Sequence, residues 1–300
     1  MNALSPVTAD TESLSRLDSK ALMRLENEIA QRFMGGVPWG SVAWGLGNLV
    51  VWLSLWPLTF LGILPLWVAF PIATLNVALS YLPSHEAQHD IIARPGTPLR
   101  WLNELVGFVS TIPLVLPYRV LKLTHMEHHK HTNDPVLDPD IRTKAPNAWA
   151  FLRNSLAYRQ PRAAASDPYG VALARIGGPQ AALARRDALV MQLGYLAILF
   201  TAAWTGHALE VALLWWLPRH IAQTYIGFFL SWAPPHPAQE TGRYRDTRGF
   251  RSAVGNIGSM GMQFHIIHHL HPRIPLMRTP AAYWALRPVL QARGCELSGL

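Results

Sequence analysis

The chain has 300 residues, of which half are hydrophobic and 15% are charged, and its formal net charge at pH 7 is +8. Soluble domains carry about 25% charged residues, so the composition argues against an ordinary soluble domain and predicts a membrane protein. The single cysteine, Cys295, excludes an intramolecular disulfide and a thiolate metal site.

The first predicted elements are a polar N-terminal segment and a long uncharged stretch. Residues 1–36 show no basic start followed by a short apolar run, so we expect a cytosolic segment rather than a signal peptide. Residues 33–84 contain no Asp, Glu, Lys, Arg or His. This length suffices for two membrane spans of about 20 residues each. We place them at 37–58 and 61–82, with the turn near Pro57.

Two histidine-rich boxes follow, separated by an apolar segment. The first box, HEAQHD, holds His85 and His89 directly after the second span. Residues 101–118 are apolar with polar and proline interruptions, which predicts a re-entrant or interfacial helix and leaves both boxes on one side of the membrane. The second box opens with Thr124 and Glu127, a T-x-x-E capping box, so we expect a helix that starts at its first histidine.

The second half of the chain contains a polar region and another pair of apolar stretches. Residues 130–187 are rich in Arg, Pro and Ala and predict a cytosolic lobe or linker with short helices. The stretches 188–205 and 208–232 predict the third and fourth spans. Arg219 and His220 interrupt the fourth span, where ionisable groups usually face the protein interior. Either they line a substrate tunnel, or the span is kinked and Arg219 snorkels or pairs with a carboxylate.

The distribution of positive charge predicts the topology. Of the 26 Lys and Arg residues, 25 lie on one side of the spans, and the two short turns hold none. The positive-inside rule makes that side cytosolic, with both termini and all histidine boxes on it. We therefore predict an all-α integral membrane protein in which residues 37–300 form one domain, with four transmembrane helices in two hairpins and a cytosolic helical cap that carries the boxes. Anionic membrane lipids account for the net charge, so we expect no nucleic-acid partner.

Histidines carry the chemical signature of the chain. The second box and a third box near the C-terminus share the pattern HxxHH, of which random placement of 13 histidines would give roughly 0.02 copies. On a helix, positions i, i+3 and i+4 share one face, so each box presents its imidazoles to a common point. Imidazole suits zinc, copper, iron or nickel, and eight nitrogens exceed the four ligands of one zinc ion, which favours two metal ions. The eight residues are His85, His89, His125, His128, His129, His265, His268 and His269.

The order HxxxH, HxxHH and HxxHH, with paired spans before the first and third boxes, resembles the membrane-bound fatty acid desaturase and hydroxylase superfamily. The resemblance covers roughly residues 37–288. It implies that the eight box histidines bind two iron ions and that O2 is used to attack an unactivated C–H bond of a lipid. A further ligand in this family often follows the fourth span, where His236 is the candidate.

Electrons are expected from a partner, because the chain has no Gly-rich flavin or nicotinamide motif and no cysteine cluster. The resemblance implies a ferredoxin or a cytochrome b5-like donor. A lipid substrate also predicts a narrow apolar tunnel among the spans.

The substrate and the exact reaction stay open at this stage. The HHLHPRIPL stretch is typical of acyl desaturases and hydroxylases, whereas HTNDPVLDPD and TGRYRDTR resemble carotenoid ring hydroxylases. We expect an acyl-chain desaturase or hydroxylase, with a carotenoid β-ring hydroxylase or ketolase as the alternative. Two readings from other classes are a histidine-based metal transporter, which would need ligands inside the membrane, and a membrane anchor whose histidines bind no metal.

Further residues are candidates for supporting roles. His131 and His271 lie two residues beyond their boxes, so we expect them behind the ligands or at the surface. His207 and His220 are not expected to be ligands. Metal-bound imidazoles usually donate their second N–H to a carboxylate. The candidate acids are Asp90, Glu127, Asp134, Asp138 and Glu240, and for any one of them a solvated acid without this role is the favoured alternative.

Overall fold

A computed structural model describes most of the chain, namely residues 14, 16–159, 167–237, 239–297 and 300. Within these residues the regular structure is helical throughout, which confirms the predicted all-α class. The chain divides into two compact units, one formed by Val37–Trp232 and the other by Met1–Gly36 together with Ala233–Leu300. The expected domain of residues 37–300 and the separate segment of residues 1–36 stay predictions.

The described helices are numbered in chain order. They are α1 (Ser19–Gln31), α2 (Trp39–Phe60), α3 (Leu66–Leu79), α4 (Tyr81–Gln88), α5 (Arg100–Val109), α6 (Tyr118–His131), α7 (Ala148–Ala157), α8 (Pro168–Ile176), α9 (Gly178–Trp204), α10 (Ala208–Val211), α11 (Leu217–Ile226), α12 (Gly255–Gly258), α13 (His265–Leu270) and α14 (Thr279–Ala292). Short 3-10 turns lie at Ile141–Thr143, Met262–Phe264 and Leu276–Arg278.

Three helices of the first unit are long and apolar enough to cross a membrane: Trp39–Phe60, Leu66–Gln88, which joins α3 and α4, and Gly178–Trp204. A helix of about 20 residues spans the roughly 30 Å of a bilayer's hydrocarbon core. Large apolar side chains on these helices face outward, among them Trp67 at 78% and Phe200 at 69% exposure. Such exposed apolar surface suits contact with lipid. The three helices correspond to the first three predicted spans.

Helix boundaries differ from the predicted span boundaries because a helix does not end where its apolar stretch ends. α2 continues to Phe60 with Pro57 inside its last turn, so the chain turns at 61–65 rather than near Pro57. The second long helix continues to Gln88, since its last polar residues are buried in protein. α9 begins at Gly178 rather than at 188, and its charged first part is fixed by an ion pair between Asp187 and Arg119.

The predicted fourth span is helical but irregular. α10, a π-helical turn at Ala212–Trp216, α11 and a second π-helical turn at Gly227–Trp232 follow one another without a break. The wide turn before Pro218 accommodates a residue that lacks a backbone N–H, so the proline does not end the helix. The segment is not among the long apolar helices found in the described part of the chain, and its crossing of the membrane stays a prediction.

Asparagine and aromatic side chains join the helices of the first unit. Asn48 Nδ2 donates to the carbonyl of Asn76 at 2.8 Å, and Asn76 Nδ2 donates to the carbonyl of Asn48 at 3.0 Å. The ring of Trp215 packs against Trp52 and Tyr195, with centroids 5.2 and 4.9 Å apart. α11 lies along α3. In an apolar environment such contacts fix how closely helices approach, and here they join α2 to α3 and the π-helical turn at Ala212–Trp216 to α2 and α9.

The segment predicted as re-entrant or interfacial contains α5 and a series of turns before α6. α5 has 10 residues, a length of about 15 Å, or half the hydrocarbon thickness of a bilayer. Leu102 and Val106 on one face are buried, while Trp101 is 61% exposed. α5 alone is therefore too short to cross a membrane, and its position relative to one stays a prediction.

The predicted cytosolic lobe contains short helices, as expected, although its residues 160–166 lie outside the described part of the chain. α7 and α8 each begin at a capping side chain. Asn147 accepts from the amide of Ala150 at 2.9 Å, and Asp167 accepts from the amide of Gly170 at 3.1 Å. These caps satisfy backbone donors that have no partner within the first turn, which explains why helices begin at these points.

The second unit is built around its N-terminal helix. Leu22 and Ile29 lie on the apolar face of α1 and share a buried core with Tyr283, Leu286 and Leu290 of α14. The apolar side chains of α13 belong to the same core. Burial of one apolar face from each helix stabilises the unit and fixes α13, which carries the third histidine box.

Candidate metal centre

The first box lies at the C-terminal end of a long helix. His85 is on α4, and His89 is the residue that ends this helix. The two rings lie on the same side, as their i, i+4 spacing predicts, with centroids 5.2 Å apart. The carbonyl of Ala87 between them accepts from Tyr118 Oη and Asn103 Nδ2, each at 3.0 Å. This contact joins the first box to the second, because Tyr118 is the first residue of α6, the helix that carries the second box.

The second box lies in the last turns of α6. This helix starts at Tyr118, after Pro117, so the prediction that a capping box starts it at the first histidine was wrong. Thr124 is in the helix interior, where its Oγ1 donates to the carbonyl of Val120 at 2.9 Å. A proline at the N-cap fixes the helix start earlier in the chain than the Thr–Glu pair.

The imidazoles of the first two boxes converge within the first unit. His125 Nε2 lies 2.9 Å from His89 Nε2 and 3.1 Å from His129 Nε2. The ring of His85 is 4.6 Å from that of His125, and ring nitrogens of His85, His89 and His125 lie within 4.8 Å of one another. The helical-face prediction for these two boxes is therefore confirmed.

The nitrogen separations fit a metal centre. An imidazole nitrogen offers either one N–H or one lone pair, so His125 Nε2 cannot satisfy both neighbouring nitrogens by hydrogen bonding. Two nitrogens bound to one metal ion at a right angle, each at about 2.1 Å, lie about 3 Å apart. Both measured separations agree with that distance. These side chains are suited to hold a metal ion as neutral imidazoles.

His128 is held by a carboxylate, as metal-binding histidines commonly are. Its Nδ1 lies 2.8 Å from Asp138 Oδ1, and both side chains are buried. Asp138 is fixed in turn by the amides of Asn133 and Asp140, each at 2.9 Å. With Nδ1 held in this way, Nε2 is the nitrogen left for a metal. Asp138, one of the five candidate acids, thus has the contact that an orienting role requires.

The other four acids have different contacts. Asp90 pairs with Arg100 and with Lys122, whose Nζ is at 2.6 Å. Glu127 pairs with Lys130 at 2.6 Å and Arg175 at 3.5 Å. Asp134 accepts hydrogen bonds from the amides of a turn. The exposed Glu240 pairs with Arg245. These contacts place the four acids in turns and ion pairs.

The histidines of the third box lie close to one another in the second unit. α13 brings the rings of His265 and His269 to 4.6 Å and those of His265 and His268 to 5.2 Å. His265 and His268 are buried. Arg243 Nη2 donates to the carbonyl of Leu270 at 2.8 Å and so satisfies an acceptor at the end of this short helix. The predicted sharing of one helix face holds for this box also.

His271, which we expected behind the ligands or at the surface, is buried and paired with an acid that the sequence analysis missed. Its Nε2 lies 3.1 Å from Oε1 of the fully buried Glu26 on α1. Tyr244 Oη donates to Glu26 Oε2 at 2.9 Å, and Arg293 Nε lies 3.5 Å from it. A glutamate in register with the apolar residues Leu22 and Ile29 of α1 was the signal in the sequence.

The remaining histidines have separate surroundings. His236 is half-buried in the second unit, and its role as a ligand stays a prediction. His131 lies 3.9 Å from Glu127 rather than within the cluster. His207 contacts Phe60 at the turn between the last two long helical segments, with ring centroids 4.9 Å apart.

A cavity of about 400 Å³ lies in the first unit beside His125. Arg219 and His220 line it, which confirms that these ionisable groups face the protein interior. Arg219 Nε donates to the carbonyl of Leu114 at 2.9 Å, and its guanidinium lies 5.1 Å above the ring of Tyr195. The wall combines apolar side chains with polar and cationic ones, and a narrow apolar tunnel for the substrate stays a prediction.

Comparison with known proteins agrees with this arrangement. The model of the fatty acid desaturase family matches residues 61–298. The sn-1 oleoyl-lipid 12-desaturase of Anabaena variabilis is 34% identical over 108 residues, 36% of this chain and 27% of that protein.

Two further relatives extend the comparison. A Delta(9) fatty acid conjugase-like enzyme of Dimorphotheca sinuata is 25% identical over 248 residues, 70% of this chain and 65% of that protein. The sn-1 acyl-lipid omega-3 desaturase (ferredoxin) of Nostoc sp. (strain 36) is 31% identical over 68 residues, 23% of this chain and 19% of that protein. The chain spans less than two thirds of the length of each of these relatives.

Proposed function

Since the chain belongs to the fatty acid desaturase family, we propose that it introduces a double bond into the acyl chain of a lipid. One hydrogen leaves each of two adjacent methylene groups. These two hydrogens, with two electrons from a donor and two protons, reduce one O2 to two water molecules. The observation that carries the proposal is the cavity beside His125, because it brings space for a substrate to the cluster of ring nitrogens.

We propose the eight box histidines as ligands of two iron ions, with His236 as a further ligand. Bound iron would supply the activation of O2 that an unactivated C–H bond requires. The residues of the chain orient the imidazoles. Asp138 holds Nδ1 of His128, and the helical spacing of the second box directs His125 and His129 toward the first box.

The names of the related proteins favour an acyl chain as the substrate. The three proteins compared above bear acyl-lipid or fatty acid names, and one name includes ferredoxin. We therefore favour an acyl chain over a carotenoid ring, and desaturation over hydroxylation. The family membership also favours an oxidoreductase over a metal transporter or a metal-free anchor. A ferredoxin is our proposed electron donor.

We further propose four spans, with the irregular segment 208–232 as the fourth. Its charged residues do not oppose this topology, because Arg219 faces a cavity rather than lipid. The side that carries nearly all Lys and Arg residues is then cytosolic, as are the histidine boxes.

Mass spectrometry of lipid extracts tests the function. A bacterial host that makes both fatty acids and β-carotene should express the wild type, His128→Ala or the matched control His131→Ala, together with a ferredoxin system. We expect an acyl species lighter by two hydrogens with the wild type and with His131→Ala, and none with His128→Ala. A histidine-dependent product that is heavier by one oxygen would contradict desaturation.

A further inference from the structure

The cavity beside His125 carries more positive than negative charge. Three arginines line it, and Asp140 is the one carboxylate among its lining residues. Tyr169 Oη donates to Asp140 Oδ1 at 2.7 Å, and Ser231 Oγ donates to Asp140 Oδ2 at 3.1 Å. Both carboxylate oxygens are therefore already engaged by neutral hydroxyl groups. Asp140 does not pair with any of the three arginines.

One of the three arginines, Arg142, has its own compensation. Its Nη1 lies 3.6 Å from Asp167 Oδ1, and its guanidinium lies 4.9 Å above the ring of Tyr169. Arg142 is thus stabilised by an acid outside the cavity and by an aromatic face. The other two arginines are Arg159 and Arg219.

Arg159 and Arg219 have neutral partners. Arg159 Nη2 donates to Thr224 on α11, the helix that carries Arg219, and to Ser155 at 3.1 Å. Arg219 Nε donates to a backbone carbonyl. Among the residues that the structure describes, no carboxylate lies within ion-pair distance of either guanidinium. Each guanidinium has five N–H donors, so these bonds leave most of its donors available.

Arg159 and Arg219 are partly buried, so the positive charge of each guanidinium group calls for an anion nearby. Both are half-buried, and His220 lies beside Arg219 on the same cavity wall. Removal of like charges from water costs free energy unless an opposite charge compensates. Guanidinium groups bind carboxylate and phosphate oxygens with paired hydrogen bonds. The chemistry of this wall therefore suits an anion.

The same cavity also offers apolar surface. Leu116, Leu121, Phe151, Ile226 and Leu230 line it. A ligand that fits both surfaces has an anionic group and an apolar chain. His125 is on the wall as well, so the cavity joins the cationic residues to the metal-ligand cluster.

We propose that Arg159 and Arg219 bind the anionic group, a carboxylate or a phosphate, of an acyl substrate whose chain lies in this cavity beside His125. The inference rests on the proposed lipid desaturation and makes it more specific. It assigns the substrate to anionic acyl lipids or free fatty acids rather than to neutral glycerolipids.

A displacement assay tests this site without catalysis. The full-length protein in nanodiscs of digalactosyldiacylglycerol, a lipid without a phosphate, would bind a fluorescent long-chain fatty acid. The competitors are stearic acid and its methyl ester, then phosphatidic acid and diacylglycerol with the same acyl chains, with protein-free nanodiscs to correct for partitioning. The acid pair tests a carboxylate, and the glycerolipid pair tests a phosphate.

We expect at least one anionic competitor to bind about tenfold or more tightly than its neutral counterpart. Arg159→Gln and Arg219→Gln should each lose about tenfold in affinity for that anion. Arg153→Gln is the matched control, because Arg153 is on the same helix as Ser155 but is exposed and does not line the cavity. Arg159→Lys, which keeps the charge, should retain part of the affinity.

Equal affinity for the anionic and neutral members of both pairs would overturn the site. So would unchanged affinity in both glutamine variants that retain wild-type helical content by circular dichroism. A double-bond product together with equal binding of anionic and neutral lipids would leave the proposed function standing and overturn only the anion site. Arginine-dependent anion binding without any double-bond product would leave the anion site standing and overturn the proposed desaturation.

Discussion

His128 Nδ1 lies 2.8 Å from Asp138 Oδ1, and this contact decides which nitrogen of the histidine is left for a metal. A carboxylate accepts the Nδ1–H, so the lone pair is on Nε2. The loop that follows α6 thus orients His128 of the second box through the buried side chain of Asp138. The amides of Asn133 and Asp140 hold that acid in place.

The first prediction concerns this acid. In Asp138→Asn the amide N–H group can donate to His128 Nδ1, which favours the tautomer with its hydrogen on Nε2 and opposes metal binding. We expect metal affinity and desaturation to fall by about 10- to 100-fold. Iron content and product formation at limiting iron would measure the loss. Asp134→Asn is the matched control, since Asp134 accepts from the amides of Val136 and Leu137 in the same loop; an equal loss in both variants would contradict the role of Asp138.

The second prediction concerns a close packing contact. A Cβ at Gly107 would lie 2.4 Å from the ring of Tyr118, whose hydroxyl is bonded to the carbonyl of Ala87 between the histidines of the first box. Gly107→Ala should therefore displace Tyr118 and lower both iron content and thermal stability. Gly47→Ala is the control, because Gly47 has open space at its Cβ position. Wild-type iron content and melting temperature in Gly107→Ala would show that this contact does not position the boxes.

The third prediction concerns the buried acid of the second unit. Glu26→Gln removes the charge that His271, Arg243 and Arg293 surround and leaves cationic groups without an anion. Loss of one partner in a buried ion-pair network costs about 3 kcal/mol of unfolding free energy. Thermal unfolding in detergent would show this as a lower midpoint. Glu28→Gln, an exposed position on the same helix, should change the midpoint little.

The same residue predicts a pH dependence. Burial raises the pKa of Glu26, but hydrogen bonds from His271 and Tyr244 and the nearby positive charges outweigh burial and hold the pKa below its ordinary value. A carboxyl with a depressed pKa in the folded state contributes stability above its unfolded pKa and loses it as pH falls through the folded value. The stability difference between the wild type and Glu26→Gln should therefore be constant near neutral pH and shrink in the acidic range. A difference that grew on acidification would contradict this assignment.

The fourth prediction concerns metal removal. A metal that binds the folded state adds to its stability by mass action. A strong iron chelator should lower the melting temperature of the wild type and of His131→Ala. It should have a smaller effect on His85→Ala, which lacks one member of the cluster. An identical melting temperature of the wild type with and without chelator would favour the reading in which the histidines bind no metal.

The comparison of sequence and structure separates local from long-range information. Long uncharged runs and the HxxHH spacing are local patterns, so the first three long helices and the shared face of each box could be predicted. The start of α6 could not, because Pro117 decides it and the capping pattern at Thr124 lies in the helix interior. The irregular form of the segment 208–232 could not be predicted either, since π-helical turns lie on both sides of α11.

Residues brought together from distant parts of the chain were the hardest to predict. Asp138 was one of five candidate acids, and only its contact with His128 distinguished it. Glu26 lies far from the third box in sequence, and its pairing with His271 depends on the packing of α1 in the second unit. The polar wall of the cavity likewise arises from α7 and α11, which are separated by a long stretch of chain.

The most direct test of the account is the iron content of the purified protein. Inductively coupled plasma mass spectrometry should find two iron ions per chain in protein expressed with sufficient iron. His125→Ala and His268→Ala should each lose iron, while His131→Ala should retain both ions. Full iron content in either box variant, or a wild-type protein that binds zinc and no iron under the same conditions, would contradict the di-iron assignment and with it the proposed desaturase.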